Sequence, residues 1–189
     1  IETVITALPH VVDKFADVLY IVLAKTHPNV LRHSAEEYRN YLQRLVKKLD
    51  LSDYVVFLNE FVDAHHLFKY LSASDIYITP YVNEAQITSG TLSYAMGAGC
   101  AVISTPYWHA AELLAEDRGK LFKFNNSAQL ATILNELLHR PEGLKELQKN
   151  SRIYGKQATW PKIGLKYADL SNRVLSEPLP NVTKKKIVI

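Results

Sequence analysis

Thr88-Ser89-Gly90-Thr91 sets hydroxyls beside a residue without a side chain, the combination found where a helix begins. A hydroxyl at such a start caps one backbone amide, and glycine leaves the next amides unhindered, so several N–H groups point outward together. Free amides and the positive end of a helix dipole favour an anion, most often phosphate. The same residues also suit an ordinary capped helix between two strands. Gly90, Ala95, Gly97, Ala98 and Gly99 follow in the same segment. Each glycine gives up about 1 kcal/mol of helix stability, which close packing or close ligand approach would offset. Glu84, Gln86 and Tyr94 supply further polar side chains in the same stretch.

The flanking pattern shows how this stretch is held. Asp75-Ile76-Tyr77-Ile78-Thr79 reads as a strand that Pro80 stops, because proline cannot donate to a ladder. Cys100-Ala101-Val102-Ile103-Ser104 reads as the next strand. Upstream, Val18 to Ala24 is a continuous aliphatic run expected to be covered on both faces of a parallel sheet, and Tyr54 to Leu58 is a further strand. Lys25 and His27, in the loop after the first run, are candidate ligand contacts or simply solvated loop residues.

Helices alternate with these strands. Ile1, Val4, Ile5, Leu8 and Val12 give a helical period at the start, and no strand precedes it. Ser34-Ala35-Glu36-Glu37 has the form of a capping box before a stripe of Tyr38, Tyr41, Leu42, Leu45, Val46 and Leu49. Asp63 is placed to cap a helix from Ala64, with Leu67, Tyr70 and Leu71 toward the core. His65 and His66 are adjacent and cannot chelate as an i, i+4 pair. Pro106-Tyr107-Trp108-His109 leads into a short helix over 110–115, its aromatics either walling a site or covering the sheet end. Gly119 to Phe124 alternates as an edge strand, and two helices follow, the first capped by Asn126 or Ser127 and the second begun by Pro141. Trp160-Pro161 breaks the pattern before a last helix carrying Ile163, Tyr167, Leu170 and Val174; Pro178-Leu179-Pro180 ends structure.

Of the 189 residues, 48% are hydrophobic and 22% charged, the profile of a soluble globular domain. No apolar run reaches membrane-spanning length. Cys100 is the one cysteine, which excludes an internal disulfide and fits a reducing cytoplasm. A net charge of +3 is too mild to indicate nucleic acid and suits an anionic small ligand. The seven histidines form no metal-ligand spacing.

Ala95-Met96-Gly97-Ala98-Gly99, followed by Ala101-Val102-Ile103, resembles the sugar-nucleotide loop of retaining glycosyltransferases with the GT-B fold, of the group 1 / family 4 type. Gln86 and Tyr94 stand where that family carries two glutamates, with Glu84 out of register beside the first. The resemblance extends over about residues Ile1 to Val174 and is carried mainly by Asp75 to Leu114. It implies a Rossmann-like three-layer α/β domain with a mainly parallel sheet, the C-terminal half of a GT-B enzyme, over 1–175, with 176–189 as a tail. It further implies that a first strand with a basic turn, and a whole N-terminal domain, precede Ile1, so that this chain alone should be inactive.

By the same resemblance the donor is a nucleotide-diphosphate sugar and the acceptor a glycan or lipid. Thr88, Ser89, Gly90, Thr91, Tyr94, Phe61, Asp63 and Lys25 would bind the donor. Gln86, positioning the transferred hexose, and Glu84 are the candidate catalytic residues. No cofactor, metal or nucleic acid is expected, and the setting implied is cytoplasmic, with the absent domain as the contact to a membrane. The rival readings are another GT-B enzyme such as a sugar-nucleotide epimerase, and a receiver-like signalling module. The latter would need acids clustered at strand ends, whereas Asp75 begins its strand.

Overall fold

The structure is a computed structural model and describes residues 1–24 and 36–176. The chain opens with α1 (Glu2–Ala7) and α2 (Pro9–Val12), joined through Leu8 in helical conformation. Val4, Ile5, Ala7, Leu8 and Val11 are buried, because a 3.6-residue period puts them on one side of the paired helices. The strand β1 (Tyr20–Leu23) then pairs in parallel with β2 (Val55–Leu58), which α3 (Glu37–Lys48) separates from it in sequence. The capping box proposed for α3 lies partly outside the described residues, and so does the Lys25–His27 loop.

A second parallel sheet has the order β3 (Ile76–Thr79), β4 (Ala101–Ser104), β5 (Lys120–Leu121). The helix α4 (Ala64–Ala73) leads from β2 into β3, and α5 (Gly90–Ala98) and α6 (Trp108–Leu113) run between the strands of this sheet. The helices α7 (Ser127–His139) and α8 (Pro141–Gly155) follow. Parallel strands need crossovers of this kind, and the helices cover the sheet. All four residues of β4 are buried. Ala101 and Ile103 pack with Val4, Val11, Phe122, Leu130 and Leu134, whereas Cys100 and Val102 pack with Leu71, Leu92, Met96 and Tyr107. Alternate residues of one strand thus enter two different cores, which defines three layers.

The first sheet differs from expectation. Val22 and Val55 are buried against Leu42 and Val46 of α3 and Ile5 of α1, but Ile21 and Val56 on the opposite face are 40% and 38% exposed. An aliphatic run in sequence does not say how many faces receive a helix. Tyr20 and Val18 also pack on the cluster that holds Ile76 and Ile78, so the two sheets share a core although no ladder joins β1 to β3 among the described residues.

Glycine is required at the end of α5 and in the helix that crosses it. Gly99 ends the helix at φ 88°, a left-handed conformation that side chains resist. Gly155 of α8 lies so close to Gly97 that a Cβ on it would stand 2.7 Å from the Gly97 Cα and the Met96 carbonyl. Gly90 and Gly97 have neither reason: a Cβ on either would meet nothing within 4 Å, and the φ of each is ordinary.

The residues fall into two compact units, Ile1–Gly155 and a second beginning at Lys156. The second holds α9 (Trp160–Ser176), whose Leu165, Tyr167, Leu170 and Val174 are exposed. Trp160-Pro161 does not break structure there but forms the first turn of α9, where proline's missing N–H is one that a helix start leaves unpaired anyway. No described helix is long and apolar enough to cross a membrane.

Candidate functional site at the start of α5

The carboxyl ends of β3 and β4 are stitched by hydroxyls. Thr79, Ser104 and Thr105 are almost wholly buried, and burial at such positions demands partners. The Ser104 hydroxyl donates to the Thr79 carbonyl at 3.2 Å. The Thr105 amide reaches the same carbonyl at 3.2 Å, and the Thr105 hydroxyl donates to the Tyr81 carbonyl. These bonds direct the chain beyond Pro80 away from the sheet.

The loop that follows is shaped by its own polar groups. Asn83 Oδ1 accepts the Ala85 amide at 3.1 Å, as asparagine commonly does in a turn. Gln86 Nε2 donates to the Thr88 carbonyl at 2.7 Å. The side chain expected to position a sugar is therefore folded onto its own loop through its NH2, leaving the amide oxygen to accept. Glu84 is exposed.

At the helix start, Ser89 is the N-cap, its Oγ accepting the Leu92 amide at 3.4 Å. The Ser89 amide does not point outward with its neighbours but donates to His109 Nδ1 at 3.1 Å. Of the four amides proposed for an anion, those of Thr88, Gly90 and Thr91 donate to no described residue. Ser89 is 7% exposed, whereas Thr88 and Gly90 are exposed. Beneath them, the Tyr77 hydroxyl donates to Thr91 Oγ1 at 2.9 Å. Burial pushes the Tyr77 pKa up to about 12, so the phenol stays protonated and remains a donor at neutral pH.

The remaining predicted residues are spread more widely. Tyr94 lies one turn along α5, 48% exposed. Phe61, in the loop after β2, is 87% exposed. Asp63 caps α4, its Oδ1 accepting the His66 amide at 2.8 Å and meeting the His66 ring Nδ1 at 2.9 Å. Those bonds, the backbone one first, hold its carboxyl below the usual range. No described hydrogen bond links Phe61 or Asp63 to the 80–91 stretch. Lys25 lies outside the described residues. Tyr107 is no wall residue: it is fully buried, its ring 5.3 Å from that of Tyr81. It covers the sheet end, while Trp108 is 58% exposed. Tyr70, expected toward the core with Leu67 and Leu71, does not join their cluster and donates instead to Glu60 at 3.3 Å.

Sequence reasoning did not pair Tyr77 with Thr91 or His109 with Ser89. Both partners lie 14 or more residues apart in sequence, and no local pattern signals them. Among the described residues, no three His, Cys, Asp or Glu side chains cluster as a metal site. A depression of about 520 Å³ lined by Lys14, Phe15, Asn135, Glu136, His139 and Arg140 shares no residue with the loop.

A doubly wound α/β unit whose helix start opens at the carboxyl ends of parallel strands belongs to the class of Rossmann-like domains that hold phosphate-bearing ligands. A sequence model of the family "Glycosyl transferases group 1" matches residues 1–155, and the chain belongs to that family. Solved structures share the fold. A C-terminal domain of a glycosyl transferase group 1 protein, LpcC from Francisella tularensis, is 21% identical with TM-score 0.70, over 83% of this chain and 77% of that one. Anabaena HepE in complex with UDP is 19% identical with TM-score 0.77, over 91% and 44%. Sucrose-phosphate synthase from Thermosynechococcus elongatus is 21% identical with TM-score 0.74, over 92% and 42%. The chain thus spans less than half the length of the latter two. No curated protein matches it in sequence.

Proposed function

We propose that this chain is the donor-binding half of a hexosyltransferase, which takes a hexose from a nucleotide-diphosphate sugar and passes it to a glycan or lipid with retention of configuration. One observation carries the reading: the Gly90 and Thr91 amides open α5 with no partner in the described chain, next to a residue whose missing side chain nothing in the fold requires. A diphosphate placed there receives two N–H donors at the positive end of a nine-residue helix. As the glycosidic bond loosens, negative charge grows on the departing diphosphate. Donors already aimed at that oxygen stabilise it without reorganising, and removal of one such donor costs about 10²- to 10³-fold in kcat.

Gln86 keeps its amide oxygen for a sugar hydroxyl while its NH2 locks the loop. Glu84 and Tyr94 are exposed and serve as further donor contacts in this reading, Tyr94 offering a hydroxyl to ribose. Phe61 presents an exposed ring to a base, and Asp63 and Lys25 complete the donor contacts. Amides and basic side chains together neutralise the diphosphate, so no metal is needed. The acceptor site belongs to a further domain, a reading supported by the length of the solved relatives. HepE has been solved with UDP-glucose, which makes UDP-sugars the first donors to try.

The test is an amide-resolved titration with UDP, GDP and ADP and their hexose conjugates. The expected result is that Gly90 and Thr91 amide signals shift for one nucleotide above the others. Shifts confined to residues outside 80–94 would refute the site. On a longer protein that includes the acceptor domain, release of a free isomeric sugar nucleotide in place of a glycoside would favour the epimerase.

A further inference from the structure

The start of α6 is tied to the loop before α5 by three hydrogen bonds. The Trp108 amide donates to the Glu84 carbonyl at 3.0 Å, the His109 amide to the Gln86 carbonyl at 3.3 Å, and the Ser89 amide to His109 Nδ1 at 3.1 Å. One turn of helix thereby holds residues 84, 86 and 89, which include both candidate catalytic positions. The side-chain bond is the one that reaches the N-cap. Ser89 is then held twice, through its amide by His109 and through its Oγ by Leu92. With the N-cap fixed on both sides, the next amides, of Gly90 and Thr91, have a set direction. A ring nitrogen that accepts carries no hydrogen, so the neutral His109 ring has its proton on Nε2.

We propose that His109 is a positioning residue for the phosphate-bearing donor: by accepting the Ser89 amide through Nδ1, it orients the helix start whose Gly90 and Thr91 amides receive the diphosphate. This deepens the donor-site reading above and rests on it. His109 is part-buried beside the loop and acts through Ser89, not through the reacting atoms.

Three substitutions separate the ring's two nitrogens. His109→Asn places an acceptor near the position of Nδ1, His109→Gln places its polar group near that of Nε2, and His109→Ala removes both. Two readouts are taken on the chain. The first is hydrogen exchange of the Ser89 amide without ligand; the second is Kd for UDP, GDP and ADP by titration. A net hydrogen bond of this kind corresponds to about a two- to tenfold change in an equilibrium. The Ala and Gln variants should lose Ser89 protection and bind the preferred nucleotide about two- to tenfold more weakly, whereas Asn should keep both properties of the native chain.

An Asn variant as impaired as Ala, or an Ala variant whose Ser89 amide stays protected, overturns the inference. So does undiminished nucleotide binding in all three variants. Failure of the native chain to bind UDP, GDP and ADP alike overturns the donor-site reading itself and this inference with it, and is distinguished from the other outcomes because it appears before any substitution is made.

Discussion

Replacing Gly90 with alanine separates what the fold needs at this position from what a ligand needs. The added Cβ meets no atom within 4 Å, and the Gly90 φ is one that any residue adopts. Alanine also loses less backbone entropy on folding than glycine, so the substitution should stabilise the free chain by about 0.4–1 kcal/mol. For a unit of this size that raises Tm by about 1–4 °C. The new methyl group stands at the approach to two unpartnered amides, however, where a phosphate oxygen would sit. If it displaces one hydrogen bond to the charged group, worth about 1.5–3 kcal/mol, the Kd for the preferred nucleotide rises about 10- to 150-fold. Calorimetric unfolding and nucleotide titration on the same samples measure the two effects, which are expected to have opposite sign. A stabilised variant with native nucleotide affinity would refute the placement of the diphosphate, and a destabilised one would refute the account of the helix start.

Other perturbations probe the parts that hold the site. Tyr77→Phe removes the donor to Thr91 Oγ1 and should lower stability by about 0.5–1.5 kcal/mol in denaturant unfolding, with weaker nucleotide binding. Gly155→Ala forces a methyl group into the Gly97 backbone and should cost about 1–3 kcal/mol or more, read in the same assay. Burial raises the Cys100 thiol from 9.0 to about 11 and the Tyr77 phenol from 10.0 to about 12. Both groups are neutral when folded and ionise more readily when unfolded, so their contribution is complete below about pH 9 and declines as pH rises toward 11 and 12. Stability measured from pH 8 to 11 should fall, and a flat profile would contradict the burial of these groups. The same burial should make Cys100 unreactive toward a thiol reagent at pH 8 until the chain is denatured.

The local elements were legible where a short-range rule governs them. Pro80 ends β3, Asp63 and Asn126 cap their helices through their own side chains, and the opening 3.6-residue period supplies Val4, Ile5 and Leu8 to the core. Legibility failed where the deciding partner is remote. Ile21 and Val56 read as core yet face outward, because burial depends on whether a helix crosses that face. Tyr107 stands beside Trp108 in sequence, but one is fully buried and the other exposed, since Tyr107 precedes α6 and turns under it.

From its residues alone this chain could be read as alternating helices and strands with a helix start suited to an anion, because capping, backbone freedom and hydrophobic period act over a few residues, and the family resemblance implied the Rossmann-like class. Which amides remain open was settled only in three dimensions. His109 takes the Ser89 amide from 20 positions away, Tyr77 engages Thr91 from the strand beneath, and the crossing of α8 over α5 requires glycine at Gly155 while leaving Gly90 without a packing role. A hydrogen bond is satisfied by whatever group the fold brings near, and sequence adjacency carries no information about that group.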